Sequence, residues 1–194
     1  MKLKLAAAAV GLALSGTVMA DSASVGQSGT DNFAFVDQTN SGAYASVYQS
    51  GDRNHAGSSY VWDGVTYYFG GIQQTNVSSG YAGLSQQGSD NNGSIYQYEG
   101  SNMQAQIQQG GWHWDAQAQQ YTNYGNANNN SAYVSQYFSD NVIASIQQFG
   151  DYNYAGVNQG YGTGNNAAIV QIGNNHSASA YQTGTSNTAR IVQR

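Results

Sequence analysis

Ala144-Ser145-Ile146-Gln147-Gln148-Phe149-Gly150-Asp151-Tyr152-Asn153-Tyr154-Ala155-Gly156-Val157-Asn158-Gln159 holds one phrase twice, Ala-x-(Val/Ile/Leu)-x-Gln, joined by a short link rich in Gly, Asp and Asn. The named residues fall at every second position, so an extended chain places all of them on one face. A helix would scatter them around its axis, and the intervening Gly, Asn and Ser are poor helix formers. Asn153, two residues before Ala155, extends the same face, and the link is turn chemistry.

The phrase recurs from Ala23 to Gln193. Its clear copies end at Gln27, Gln38, Gln49, Gln74, Gln86, Gln97, Gln109, Gln136, Gln148, Gln159, Gln171 and Gln193. Weaker ones are Ala56-Ser58-Tyr60, Ala116-Ala118-Gln120 and Ala178-Ala180-Gln182, which makes fifteen units. Asn precedes the Ala by two at Asn32, Asn54, Asn91, Asn130, Asn153, Asn165 and Asn187, and His176 takes that place once. Gly follows the Gln by two at Gly29, Gly51, Gly88, Gly150, Gly173 and Gly184.

Strand, tight turn and strand with a shared inward face predict an all-β solenoid. Each rung takes about 22 residues, and roughly seven rungs stacked at about 4.8 Å span on the order of 34 Å, becoming cross-β on assembly. Ala and β-branched residues form a thin core, and the Asn and Gln amides hydrogen-bond to their equivalents one rung away.

Residues 1–20 read as a signal peptide. Lys2 and Lys4 precede an apolar run from Leu5 to Leu14, and Val18-Met19-Ala20 offers small residues for cleavage before Asp21. Residues 21–194 are the expected repeat domain, with irregular aromatic insertions near 60–74 and 110–131. That span retains three arginines against ten acids and no lysine, a net −7, so electrostatic binding of nucleic acid is not expected. Cysteine is absent, which removes disulfides and thiolate zinc sites. No cofactor is expected, and no acid, base and nucleophile constellation suggests an enzyme. The phrase runs between Ala23 and Gln193 with no distinct capping unit, so both end strands are expected to offer unpaired backbone groups to another copy.

Asp31, Asp52, Asp90 and Asp151 fall in turns, where mutual repulsion is expected to slow premature stacking. Tyr60–Phe69 and Gly111–Asp115 hold all three tryptophans and read as enlarged loops whose rings pack over the solenoid. The rival reading of the whole is a monomeric solenoid that binds a glycan on a flat face.

Gln-x-Gly-x-x-Asn-x-Ala-x-x-x-Gln resembles the curlin repeat of bacterial curli fibre subunits. Full copies are Gln27-Gly29-Asn32-Ala34-Gln38, Gln148-Gly150-Asn153-Ala155-Gln159 and Gln182-Gly184-Asn187-Ala189-Gln193. The resemblance implies a subunit of an extracellular functional amyloid of a Gram-negative cell, serving biofilm cohesion and adhesion, with the major role favoured over the minor, nucleating one. It also implies partners: a nucleating or major companion subunit, an outer-membrane secretion pore and periplasmic chaperones.

Overall fold

In the computed structural model, residues 9–15, 22–39, 42–62, 65–69, 71–115, 120–123 and 125–194 are described. The chain starts with β1 (Ala9–Ser15), β2 (Ser22–Ser28), β3 (Phe33–Thr39), β4 (Gly42–Asp52) and the two-residue β5 (His55–Ala56). A hairpin of β6 (Ser58–Trp62) and β7 (Val65–Phe69) follows, then the long β8 (Gly71–Ser89), β9 (Asn92–Ser101) and β10 (Gln104–Gln109). A second hairpin, β11 (Trp112–Asp115) with β12 (Gln120–Asn123), precedes the short β13 (Ala127–Asn128). The remainder is β14 (Ser131–Asp140), β15 (Ile143–Phe149), β16 (Tyr154–Thr163), β17 (Asn166–Ile172), β18 (Ser177–Thr185) and β19 (Thr188–Gln193).

Among the described residues every pairing outside the hairpins is parallel, and the repeat phrases stack in register, like on like. One ladder runs β2, β4, the second half of β8, β10, β15, β17, β19, and superimposes Ala23, Ala45, Ala82, Ala105, Ala144, Ala167 and Ala189. The facing ladder runs β3, then β5 with the first half of β8, then β9, β14, β16, β18. Alternate strands belong to opposite ladders, as the strand-turn-strand rung requires. The expected β-solenoid is the fold observed.

Inward apolar residues of both ladders form one continuous cluster, among them Val36, Ile72, Ile95, Ile107, Ile146 and Ile169, each at most 1 % exposed. At the corner between each rung and the next, Val77, Met103 and Val142 make a second, smaller cluster. Sequence reasoning missed this corner because its residues do not repeat.

Two of the fifteen units are not strands of their own. Ala56 pairs with Gly93 and Gly71 with Ser94, so Gly71 occupies the register place immediately after Ala56. Residues 57–70, which include the antiparallel β6–β7 hairpin, interrupt a single strand that would otherwise read Ala-Gly-Ile-Gln-Gln. The copies assigned to Tyr60 and Gln74 are therefore the two halves of one rung side. Likewise Gln120 pairs antiparallel with Asp115 inside the second hairpin, and Gln109 bonds directly to Gln148. Ala116 and Ala118 lie outside the described residues. Thirteen ladder strands result, six rungs and a half, close to the seven expected.

Candidate functional site: amide ladders and the edges they leave

Each interior repeat Gln is locked by the alternation of its strand into the inward face, where the facing ladder leaves it no water. Its Nε2 donates twice: to the Oε1 of the next Gln and to a backbone carbonyl of the opposite ladder. Gln136 donates to Gln159 Oε1 at 2.9 Å and to Gln104 O at 2.9 Å, while its own Oε1 accepts from Gln97 at 2.8 Å. The same geometry joins Gln27, Gln49, Gln86, Gln109, Gln148, Gln171 and Gln193 in one ladder. It joins Gln38, Gln74, Gln97, Gln136, Gln159 and Gln182 in the other. Burial is tolerated because each amide is satisfied by its neighbours.

All of these bonds point the same way, from lower to higher residue number. The edge that holds β2 and β3 therefore ends in acceptors, and Gln27 Oε1 and Gln38 Oε1 are buried without a hydrogen-bond partner. At the other edge Gln182 and Gln193 donate to Asn166 O and Ser177 O, with no further glutamine to receive the second N–H. The apolar residues of β2 and β19, Ala23, Val25, Ala189 and Ile191, are only partly buried, whereas their interior equivalents are fully so.

The expected asparagine row divides between the two corners. Asn32, Asn54, Asn91, Asn130, Asn153 and His176 form one column, each side-chain oxygen accepting the backbone N–H of the next residue, as in Asn153 to Asn130 at 2.7 Å. His176 keeps the contact of the residues it replaces, with Nε2 3.2 Å from Ile172 O, four residues back, as Asn32 Nδ2 bonds Ser28 O. Asn165 and Asn187 stand at the opposite corner, bonded to each other.

Gly29, Gly51 and Gly88 stack at φ of 113°, 111° and 123°, and a Cβ on Gly51 would overlap the Gly88 carbonyl. Gly150 and Gly173 continue this column, whereas Gly184 lies beneath Gly162 at the other corner.

The four turn acids separate into two columns. Asp31 and Asp90 take the left-handed position, at φ of 54° and 58°, with Arg53 at φ 53° on the rung between them. Arg53 meets Asp90 with two donors at 2.7 Å, and this hydrogen bond holds the Asp90 carboxyl below its usual pKa. Asp52 accepts from the Thr30 hydroxyl and backbone N–H, which lower its pKa too, and Asp151 accepts from Asn128. Within the folded chain no two of these acids adjoin in one column, and Asp52, Asp90 and Asp151 each make a cross-rung bond. Asp140, which accepts from Ser101, plays the same part and was not singled out from the sequence.

Outward residues gather an aromatic cluster on the β9–β14–β16 face: Phe138 and Tyr161 stack at 5.2 Å, with Tyr98 and Tyr137 edge-on to them. The ring packing expected of the tryptophan segments falls on side chains outside those described. Among the described residues no three His, Cys, Asp or Glu groups are placed to hold a metal ion.

Residues 162–194 match the family model of the curlin associated repeat. That segment contains β17, β18 and β19, whose registers carry the same columns back through the whole solenoid. No curated protein matches the chain.

Proposed function

We propose, from the match of residues 162–194 to the curlin associated repeat and the columns that carry this repeat through the solenoid, that the chain is a secreted structural subunit that stacks with copies of itself into extracellular amyloid-type fibres for biofilm matrix and surface adhesion. The observation that carries this reading is the pair of one-way glutamine ladders ending in unfilled acceptors at one edge and spare donors at the other. A second copy completes both ladders and removes the half-buried Ala, Val and Ile of β2 and β19 from water. The major, fibre-forming role is favoured over nucleation. A nucleating companion, an outer-membrane pore and periplasmic chaperones are the partners that the family implies.

Dilution of residues 21–194 from denaturant, followed by thioflavin fluorescence and fibre diffraction, tests the proposal. A lag that seeds shorten, with reflections near about 4.7 and 10 Å, is expected. A persistent folded monomer overturns it and favours the aromatic cluster around Phe138 and Tyr161 as a glycan-binding face.

A further inference from the structure

Tyr44 of β4 and Tyr81 of β8 are register partners on the outward face of one ladder. Their ring centroids are 5.7 Å apart and the planes only 11° from parallel, an offset stack of the kind aromatic rings prefer. Both rings are held in place. The Tyr44 hydroxyl is 3.2 Å from Ser24 Oγ on the neighbouring rung. Tyr81 lies along its own strand over Gly83, its hydroxyl 2.8 Å from where a Cβ on Gly83 would stand. Ser22 and Gln104 come next in the column on either side, so the two phenols stack as a pair and not as a row. The residues are 40 % and 39 % exposed, open to a solute on the outer face. Other described tyrosine pairs differ. Tyr133 and Tyr154 are tilted by 53°, Tyr137 and Tyr161 by 89°, and the near-parallel Tyr96 and Tyr98 sit on a single strand.

We propose that Tyr44 and Tyr81 form a site of oxidative cross-linking, where a one-electron oxidant of the haem-peroxidase class, supplied with hydrogen peroxide, joins neighbouring rungs through a dityrosine bond. Each phenol gives up one electron and its hydroxyl proton. The two phenoxyl radicals couple through a ring carbon ortho to each oxygen, forming one C–C bond, and the two ortho hydrogens move to the oxygens to restore both aromatic rings. The two electrons and two protons reduce one peroxide to two waters, so the chain loses two hydrogens. Stacking supplies the encounter that free phenols must find by diffusion. The bond closes the stretch from 44 to 81, which contains the β6–β7 hairpin and the interruption between Ala56 and Gly71. It ties the strands that precede and follow that interruption and restricts the unfolded chain as a disulfide would, in a protein without cysteine. The site depends on the solenoid register and not on fibre formation.

Trypsin reads the site directly, because Tyr44 and Tyr48 are the only tyrosines before Arg53 and no lysine or arginine lies between Arg53 and Arg190. The full chain, both freshly folded at high dilution and assembled, is treated with a haem peroxidase and hydrogen peroxide. The monomer-sized product is isolated in denaturant and cut. The fragment ending at Arg53 is expected to stay joined to residues 54–190, with a mass two hydrogens below the sum of the two and the blue fluorescence of a biphenol. The linked chain is expected to unfold at higher guanidinium than the untreated one. Tyr44→Phe and Tyr81→Phe keep the rings and remove the phenols, and each is expected to abolish the joined product. Tyr48→Phe removes a phenol on a residue 55 % exposed and is expected to leave the product unchanged. Separated fragments in both treated preparations of the parent, or an undiminished joined product in Tyr81→Phe, overturn the site. Loss of the product in Tyr48→Phe overturns it as well, since exposure and not stacking would then select the partner. A chain that links but extends no seeds keeps this site and loses the fibre reading, and one that extends seeds but does not link does the reverse.

Discussion

Gln38 and Gln74 are 36 residues apart in sequence, yet Gln38 Nε2 donates to Gln74 Oε1 at 2.8 Å across neighbouring rungs. The β6–β7 hairpin lies between them in the chain and outside the ladder in space. Excising residues 57–70 joins Ala56 to Gly71 at adjacent register positions and shortens only a connection. Fibre diffraction and seeded growth are expected to be unchanged, and resistance to guanidinium equal or higher, because loop length is a weak entropic term. Loss of assembly in this variant would show that the strand is not continuous through Ala56 and Gly71.

Gln136 is fully buried and holds three hydrogen bonds. Gln136→Leu keeps the volume and strips partners from Gln97, Gln159 and the Gln104 carbonyl. Each buried polar group left short costs about 1–3 kcal/mol, so a large drop in the guanidinium midpoint is expected. Ser135→Ala, on the outward face of the same strand, should stay within about 0.5 kcal/mol of the parent.

Gly51 combines a left-handed backbone with a neighbour too close for any Cβ, whereas Gly26 has its nearest side-chain neighbour, Tyr48, at 3.4 Å from the place of a Cβ. Gly51→Ala is expected to cost at least about 1–3 kcal/mol from the backbone strain alone, with slower seeded growth. Gly26→Ala should be close to neutral. Equal effects in thermal unfolding would remove the stacked-glycine argument.

Acid should weaken the turns through Asp52 and Asp90. Both carboxyls are held below the usual value of 3.8, Asp52 first by the Thr30 hydroxyl and Asp90 first by Arg53. A lowered folded pKa gives a contribution that is complete above the unfolded value and fades as pH falls through the folded one. Resistance to denaturant should therefore be flat from neutrality to about pH 4 and decline below it. Arg53→Gln with Asp52→Asn should flatten that decline in an acid titration followed by circular dichroism.

Changing Asp31, Asp52, Asp90 and Asp151 together to Asn removes four negative charges from a chain of strongly acidic balance. The folded turns pair Asp52, Asp90 and Asp151 with neutral or cationic neighbours, so any delay the four acids impose acts while chains approach. A shorter thioflavin lag at low salt is expected, with the difference shrinking as salt screens it. An unaltered lag at low salt removes the delaying role.

The solenoid was legible because the period-two face and the Gln spacing state the same thing at every rung. Where the period stretched, the text misled: Ala56-Ser58-Tyr60 scans as a copy, although only Ala56 stays in the ladder. A hairpin spliced into a strand leaves half a motif on each side, and spacing alone cannot say which halves belong together. The corner residues Met103 and Val142 were invisible for the opposite reason, since burial there selects size and not a recurring residue type. Asn165 and Asn187 match the asparagine pattern by spacing, while the parity of their strands places them at the other corner. His176, by contrast, was readable as an asparagine substitute because its ring nitrogen reaches the same carbonyl.

The one-way run of side-chain amides has a collective electrical consequence. Each C=O and N–H pair is a small dipole, and rung after rung these add along the axis without cancelling. A long stack is then a rod with opposite partial charge at its two tips. Neighbouring rods lower their mutual field energy by lying in opposite senses, so bundles favour alternating orientation, and an applied field can align the filaments along its direction.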